Sequence, residues 1–322
     1  MKLGIFTVLF GNMPFSEMLD HVAKAGVDTV EIGTGGYPGG AHCDREGLLA
    51  SAEKRKAFLD EISSRGLSIS ALSCHCNPLH PNAAKRELAQ RELRETIELA
   101  ALLGVDTVNT FSGCPGESEH SQNPVWVTCP WPEEFSQVLE WQWNEKVIPY
   151  WTEMNAFLKE RGVRVAIEAH PGFVVYNAET MIRLRQAAGE QIGVNFDPSH
   201  MFWQGIDPVE AIYALAQHQA IFHVHAKDTG FHRHNTATNG VLDTKPYAKE
   251  RDRSWIFRTV GYGHDSQTWV DIISALQLAG YEGAVSIEHE DSLMSIEEGF
   301  QKAVDFLKPL IIREKLQQMW WA

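Results

Sequence analysis

The sequence predicts an α/β fold, a (β/α)8 TIM barrel, on three observations. Short apolar runs alternate with longer amphipathic stretches eight times from end to end, the pattern of a parallel sheet with crossover helices. Five of the helical stretches stop at a glycine just before the next strand. The long insertions follow strand C-termini, where a barrel carries its chemistry. At 322 residues, with nothing marking a break, the chain reads as one domain over 1–322.

The units follow in order. The apolar run Leu3 to Val8 is the first strand and Phe15 to Ala25 its helix, stopped by Gly26. Thr29 to Ile32 is followed by Arg45 to Arg65 and Gly66, Ser68 to Ser73 by Ala84 to Leu103 and Gly104, and Thr107 to Phe111 by Glu133 to Arg161 and Gly162. Arg164 to Glu168 pairs with Ala178 to Ala188, Gly193 to Asp197 with Pro208 to Gln217, and Ile221 to His225 with Gln267 to Ala279 and Gly280. Ala284 to Glu288 and Ile296 to Lys308 close the set. Glycine suits these stops because it takes the left-handed conformation without a Cβ clash. A doubly wound open sheet is the rival, but Phe10-Gly11-Asn12-Met13-Pro14 after the first strand lacks the Gly-rich dinucleotide loop.

Composition narrows the function. A formal charge of −14 and a pI near 5.4 oppose binding to nucleic acid or to an anionic membrane and suit a neutral small molecule. Five cysteines, an odd number without zinc-finger spacing, read as reduced thiols. The N-terminus has no hydrophobic stretch with a cleavage site, and no run reaches the length of a membrane span, so a cytoplasmic location is expected.

Four segments of the second half end an apolar run with a hard metal ligand: Val165-Ala166-Ile167-Glu168, Val194-Asn195-Phe196-Asp197, Phe222-His223-Val224-His225 and Val285-Ser286-Ile287-Glu288. Side chains alternate along a strand. With the apolar positions outward against helices, Glu168, Asp197, His225 and Glu288 all point inward at the strands' C-terminal ends. Three carboxylates and an imidazole there form a site for one divalent cation. Glu168 and Glu288, on strands five and eight, bracket a bound substrate; the bland alternative is a pair of salt-bridged acids. His223 is expected one layer below His225 as a hydrogen-bonded core histidine. His200 is either close to the metal set, a substrate contact, or a plain helix-start residue, and His170 either a polar contact or an acid/base. Glu31 and His75 also fall at the pocket by parity. In the long loops 112–132 and 226–265, Trp126, Trp131, Trp255 and Phe257 either wall the site as a stacking platform or pack the loops together.

The runs Ile167-Glu168-Ala169-His170-Pro171-Gly172, Asn195-Phe196-Asp197-Pro198-Ser199-His200, His223-Val224-His225-Ala226-Lys227-Asp228 and Ser286-Ile287-Glu288-His289-Glu290 resemble the xylose isomerase-like TIM-barrel sugar (phosphate) isomerases and epimerases, which include ketose 3-epimerases and inosose dehydratases. The resemblance implies that Glu168, Asp197, His225 and Glu288 bind one divalent cation, Mn2+ first, with Mg2+, Co2+ or Zn2+ as alternatives. It also implies that Glu168 and Glu288 handle protons and that His200 contacts substrate. Epimerases of the family carry an arginine soon after the metal histidine; here Lys227, Arg233 and Arg258 compete for that place.

Such a site removes a proton next to a carbonyl through a metal-bound enediolate. The expected activity is therefore a metal-dependent sugar isomerase or epimerase. The alternative is a carbon–oxygen lyase or dehydratase that eliminates a β-oxygen from a 3-keto-glycoside or inosose, toward which His232, His234, Arg258 and His264 point as extra acids. His170, His200, Lys227, Arg258, His264 and Trp126 are the expected substrate contacts, and the substrate class is a non-phosphorylated polyol, ketose or keto-glycoside. A retaining glycosidase would need no metal, a repair nuclease would want a basic face, and a non-catalytic sugar binder would need no opposed glutamates. The apolar end Met319-Trp320-Trp321-Ala322 suggests docking on the barrel or on a second copy in a homo-oligomer.

Overall fold

The computed structural model describes residues 1–315 together with 319 and 321; the C-terminal docking expected of 319–322 falls, for Trp320 and Ala322, outside the described residues. Eight parallel strands close a barrel: β1 (Lys2–Phe6), β2 (Thr29–Gly33), β3 (Ser68–Ser73), β4 (Thr107–Phe111), β5 (Arg164–Glu168), β6 (Ile192–Phe196), β7 (Ile221–Ala226) and, last in the chain, β10 (Ala284–Ile287). Two short strands, β8 (Asp228–Phe231) and β9 (Trp255–Arg258), form a separate antiparallel hairpin. The barrel order is β1-β10-β7-β6-β5-β4-β3-β2, so each strand lies beside its neighbour among the eight and β10 seals against β1. Registers such as Ile167 with Val194 and Val285 with Val224 keep the apolar parity of adjacent strands aligned. Val165, Ile167, Val194, Phe196, Val224, Val285 and Ile287 are all buried in the core.

The glycine stops hold. Gly26, Gly66, Gly104, Gly162 and Gly280 have φ of 85°, 75°, 70°, 66° and 75°, the left-handed region in which a Cβ is strained. Phe15–Ala25 and Ala178–Ala188 fall where the pattern put them. Other elements differ for identifiable reasons. The stretch 45–65 is two helices, because Ser51 takes extended dihedrals, ends the first and caps the second by accepting from the Lys54 amide at 3.2 Å. The stretch 133–161 is one run with a wide π turn at Gln142–Val147, directly before Pro149, whose missing amide breaks the regular ladder. The strand expected over 3–8 ends at Phe6 and passes into a 3-10 turn, Thr7–Phe10. Asp197 and Glu288 lie one residue past β6 and β10, still within reach of the mouth.

The five cysteines are free, four of them buried. Among the described residues no helix is long and apolar enough to cross a membrane.

Candidate active site

Parity brings the four candidate ligands together. One donor atom each from Glu168, Asp197, His225 and Glu288 lie within 4.8 Å of one another. His225 Nδ1 is 3.4 Å from Glu168 Oε2 and 3.2 Å from Glu288 Oε2, yet neither contact has hydrogen-bond alignment, and the buried Nδ1 has no partner. Asp197 uses one oxygen to cap the helix Pro198–Trp203, accepting from the Ser199 amide at 2.8 Å, which leaves a buried Oδ2 without a hydrogen bond. Buried polar atoms normally have partners. Hard oxygen and imidazole donors gathered this closely, two of them unpartnered, fit a divalent ion.

A second carboxylate layer orients this cluster. Glu31, fully buried, accepts from His225 Nε2 at 3.0 Å, Asn109 Nδ2 at 2.8 Å, Ser286 Oγ at 2.9 Å and the Ser73 hydroxyl. With Glu31 accepting a hydrogen bond from Nε2–H, His225 in its neutral form would turn an Nδ1 lone pair toward the cluster, the arrangement by which a carboxylate fixes a ligating histidine. Burial opposes ionisation of Glu31, but His225 and His223 outweigh it and hold the carboxyl below its usual range. His223 sits below the cluster, its Nδ1 3.0 Å from Asn195 Oδ1 and its Nε2 3.4 Å from Ser70 Oγ, and burial brings it down to about 4.

The cluster carries its own cation. Lys227 Nζ lies 2.7 Å from Glu288 Oε2, 3.2 Å from Asp197 Oδ2 and 3.0 Å from Glu290 Oε2, and 4.6 Å from the centre of the Phe257 ring. Burial disfavours the ammonium, but Asp197 and Glu288 overcome this and raise its pKa well above normal. Burial likewise opposes the Glu288 carboxylate, and Lys227 with His225 holds it at about 2. Glu290 is one of the site residues given no role from the sequence, as are Trp203 and Tyr247 in the wall of an adjoining chamber. The period-two rule that selected Glu288, carried one step further, finds Glu290.

His200 Nε2 lies 3.0 Å from Glu168 Oε1 and 3.3 Å from Asp197 Oδ2, delivered by the short helix that Asp197 caps. His75 Nε2 is 3.0 Å from Glu168 Oε2. His170 packs ring to ring against His200 at 4.1 Å, and its Nδ1–H donates to the Pro171 carbonyl at 2.6 Å. Burial and then the charge on His200 lower His170 to about 3, so its imidazole is neutral near pH 7. A compartment of about 200 Å³ beside the cluster is lined by His75, Glu168, His170, Lys227, Glu288 and Glu290. Beyond His170 opens a chamber of about 500 Å³, walled in part by Trp126, Trp203, Trp255 and Phe257.

Two expected contacts are not brought to these cavities. Arg258 alternates away from Phe257 on β9, and its Nε pairs with Asp291 at 3.0 Å. His264 Nδ1 is held by Asp228 at 2.7 Å, with its ring stacked 3.6 Å from that of Phe202. Asp228 also accepts from the amides of Gly261, Gly263 and His264 and from the Trp269 indole, so Gly261 and Gly263 serve an internal carboxylate. His232 hydrogen-bonds the Arg253 carbonyl, and Arg233, His234 and Trp131 are exposed. The acids that pointed toward leaving-group protonation are thus occupied or outside.

A family described as the xylose isomerase-like TIM barrel matches residues 19–310. The chain is 40% identical to the uncharacterized protein YfiH of Bacillus subtilis over 97% of this chain and 99% of that protein. Among solved structures it resembles the probable 3-DHS dehydratase AsbF of Bacillus anthracis (16% identity, TM-score 0.64, 96% of this chain and 99% of that one). It also resembles a D-tagatose 3-epimerase-like protein (18%, 0.63, 96% and 98%) and an IOLI protein with a bound zinc atom (18%, 0.63, 97% and 98%).

Proposed function

The chain belongs to the xylose isomerase-like TIM-barrel family, and from that premise we propose that it is a divalent-metal-dependent sugar isomerase or epimerase that removes a proton beside a carbonyl. The observation that carries the reading is the approach of Glu168 and Glu288 to one shared centre with Asp197 and the unpartnered His225 Nδ1. Glu168, Asp197, His225 and Glu288 would hold the ion, Mn2+ being the first choice; IOLI, with its zinc, is a relative in fold that holds a metal. When bound, the ion supplies a Lewis acid that draws charge from the carbonyl of the substrate.

The protein's own groups do the rest. One of Glu168 and Glu288 takes the C–H proton on a carboxylate oxygen, and the other, across the cleft, returns a proton. Return to the opposite face of the same carbon inverts it; return to the adjacent carbon moves the carbonyl. Lys227, 2.7 Å from Glu288, neutralises the crowded carboxylates and places an N–H donor at the edge of the compartment. His200 steadies Glu168 through its Nε2, and neutral His170 offers its free Nε2 as an acceptor for a substrate hydroxyl.

A second reading uses the same first step. If the carbon adjacent to the enediolate bears a β-oxygen, the C–O bond breaks as the C=C bond forms, and the leaving oxygen takes the proton. The chamber behind His170 favours it by giving a leaving group somewhere to sit, and the resemblance to a dehydratase agrees with it. The test is proton NMR in D2O of the Mn2+-loaded protein with ketoses, inososes and 3-keto-glycosides, repeated with EDTA. Deuterium beside the carbonyl, abolished by EDTA, is the expected result, and the product identifies the exit. Absence of exchange across the panel overturns the proposal.

A further inference from the structure

We infer that the substrate has two parts and that the chamber behind His170 is the binding site for an aromatic aglycone joined to the sugar. This rests on the proposed reading of the cluster as the place where the sugar reacts. The compartment at the cluster, about 200 Å³, falls below the roughly 300–1,000 Å³ of pockets that enclose a larger ligand. The adjoining chamber, about 500 Å³, falls within that range. His170 lines both, so a molecule spanning them passes one histidine ring.

The chemistry of the walls selects the occupant. Trp203 and Trp255 stack 4.5 Å apart at 10°, Phe257 lies 5.2 Å from Trp255, and Tyr247 lies 5.8 Å from Phe257. These rings come from separate segments, the helix after β6 and the excursion between β7 and β10, and converge on a single cavity. Trp203 is 5% exposed and its buried indole N–H has no partner; the indole N–H of Trp126 across the chamber has none either. Neither nitrogen has surface open to a ligand, so the selection rests on the ring faces, which suit a flat aromatic occupant through stacking or edge-to-face contact. The polar side chains of the wall, Thr128, Thr244, His170 and His200 beside Asp243, are outweighed in area by the rings, which favours an aryl group over a second pyranose. The one carboxylate of this wall, Asp243, already accepts from the amides of Lys245 and Ser254 and from Lys245 Nζ.

The experiment is competitive binding to the intact protein, read by tryptophan fluorescence, with phenyl β-glucoside, cellobiose and glucose as probes, with and without Mn2+. Phenyl glucoside is expected to bind about tenfold more tightly than either sugar, in line with one or two aromatic contacts. Tyr247→Ala and Trp255→Ala are expected to erase that preference, with circular dichroism reporting the fold. Tyr247 is 56% exposed and its replacement spares the core. Equal affinities overturn the inference, and so does a preference for cellobiose. Deuterium exchange without an aryl preference removes this inference alone. Aryl preference without exchange on any keto-sugar removes the proposed reaction and leaves a site for aryl glycosides.

Discussion

Two regions meet at the mouth of the barrel and are built differently. The cluster of Glu168, Asp197, His225 and Glu288 hangs from strand ends, each side chain placed by a two-residue period within a closed sheet. The aromatic chamber is assembled by excursions, chiefly 226–265, whose residues have no common period and whose hairpin touches the barrel at its root. The first region carries the proposed chemistry and the second the proposed selection of substrate. A barrel can therefore keep one set of reacting groups and change what reaches them.

The comparison is broken most forcefully at the strand ends. Glu168→Gln and Glu288→Gln should each lower deuterium exchange by on the order of 10³-fold or more while preserving the circular dichroism spectrum. Near-normal exchange in either would mean that the two carboxylates do not divide the proton work. One layer down, Glu31→Gln should weaken metal binding by about 10- to 100-fold in a Mn2+ titration, because Nε2 of His225 loses the carboxylate that orients the ring and turns Nδ1 toward the cluster. Unchanged affinity would detach Glu31 from the site.

In the excursion the effects should fall on stability first. Arg258→Ala leaves the buried Asp291 carboxylate short of one donor, although the amides of Thr259 and Leu293 remain. A loss of about 1–3 kcal/mol in thermal melts is expected, with a smaller change in exchange rate than in either glutamate variant. The reverse order would return Arg258 to the list of substrate contacts. The smallest effect concerns pH. Burial works against the Asp243 carboxylate, but Lys245 and the amides of Lys245 and Ser254 bring it to about 2. A lowered carboxyl stabilises the folded loop above its ordinary value of about 3.8 and loses that contribution as pH falls toward 2. Wild-type Trp255 fluorescence should therefore show a component between those values that Asp243→Asn lacks, and identical profiles would rule it out.

The same contrast explains what the sequence made legible. The strand ends were readable because Val165, Ile167 and Glu168 obey one rule and three other segments repeat it. Ser51 was not: a serine inside a helical pattern becomes a break only when its side chain caps the next turn. The helix Pro198–Trp203 was legible only as the helix start weighed for His200, because Asp197, read as a strand end, serves as its cap as well. Arg258 and His264 were drawn in as candidate contacts because they are basic residues in a loop beside the site. Which way β9 alternates depends on its pairing with β8 across 24 to 30 residues, and the claim of Asp228 on His264 spans 36, neither of which a local pattern encodes.

Asp228 has one more consequence. It ties the first residue of the hairpin to the loop at 261–264 and to the helix that follows, so both ends of the excursion are fastened at one buried point directly beyond β7. A carbon in place of the Gly263 hydrogen would collide with Thr229 O and lie 2.5 Å from Asp228 Oδ1, so the fastening is tight. The stretch between, from 230 to 260, is held there and again where Arg258 and Thr259 bond Asp291 and Trp255 stacks on Trp203. A segment of another length or lining that kept these anchors would change what reaches the proposed site while the barrel strands beneath stayed as they are.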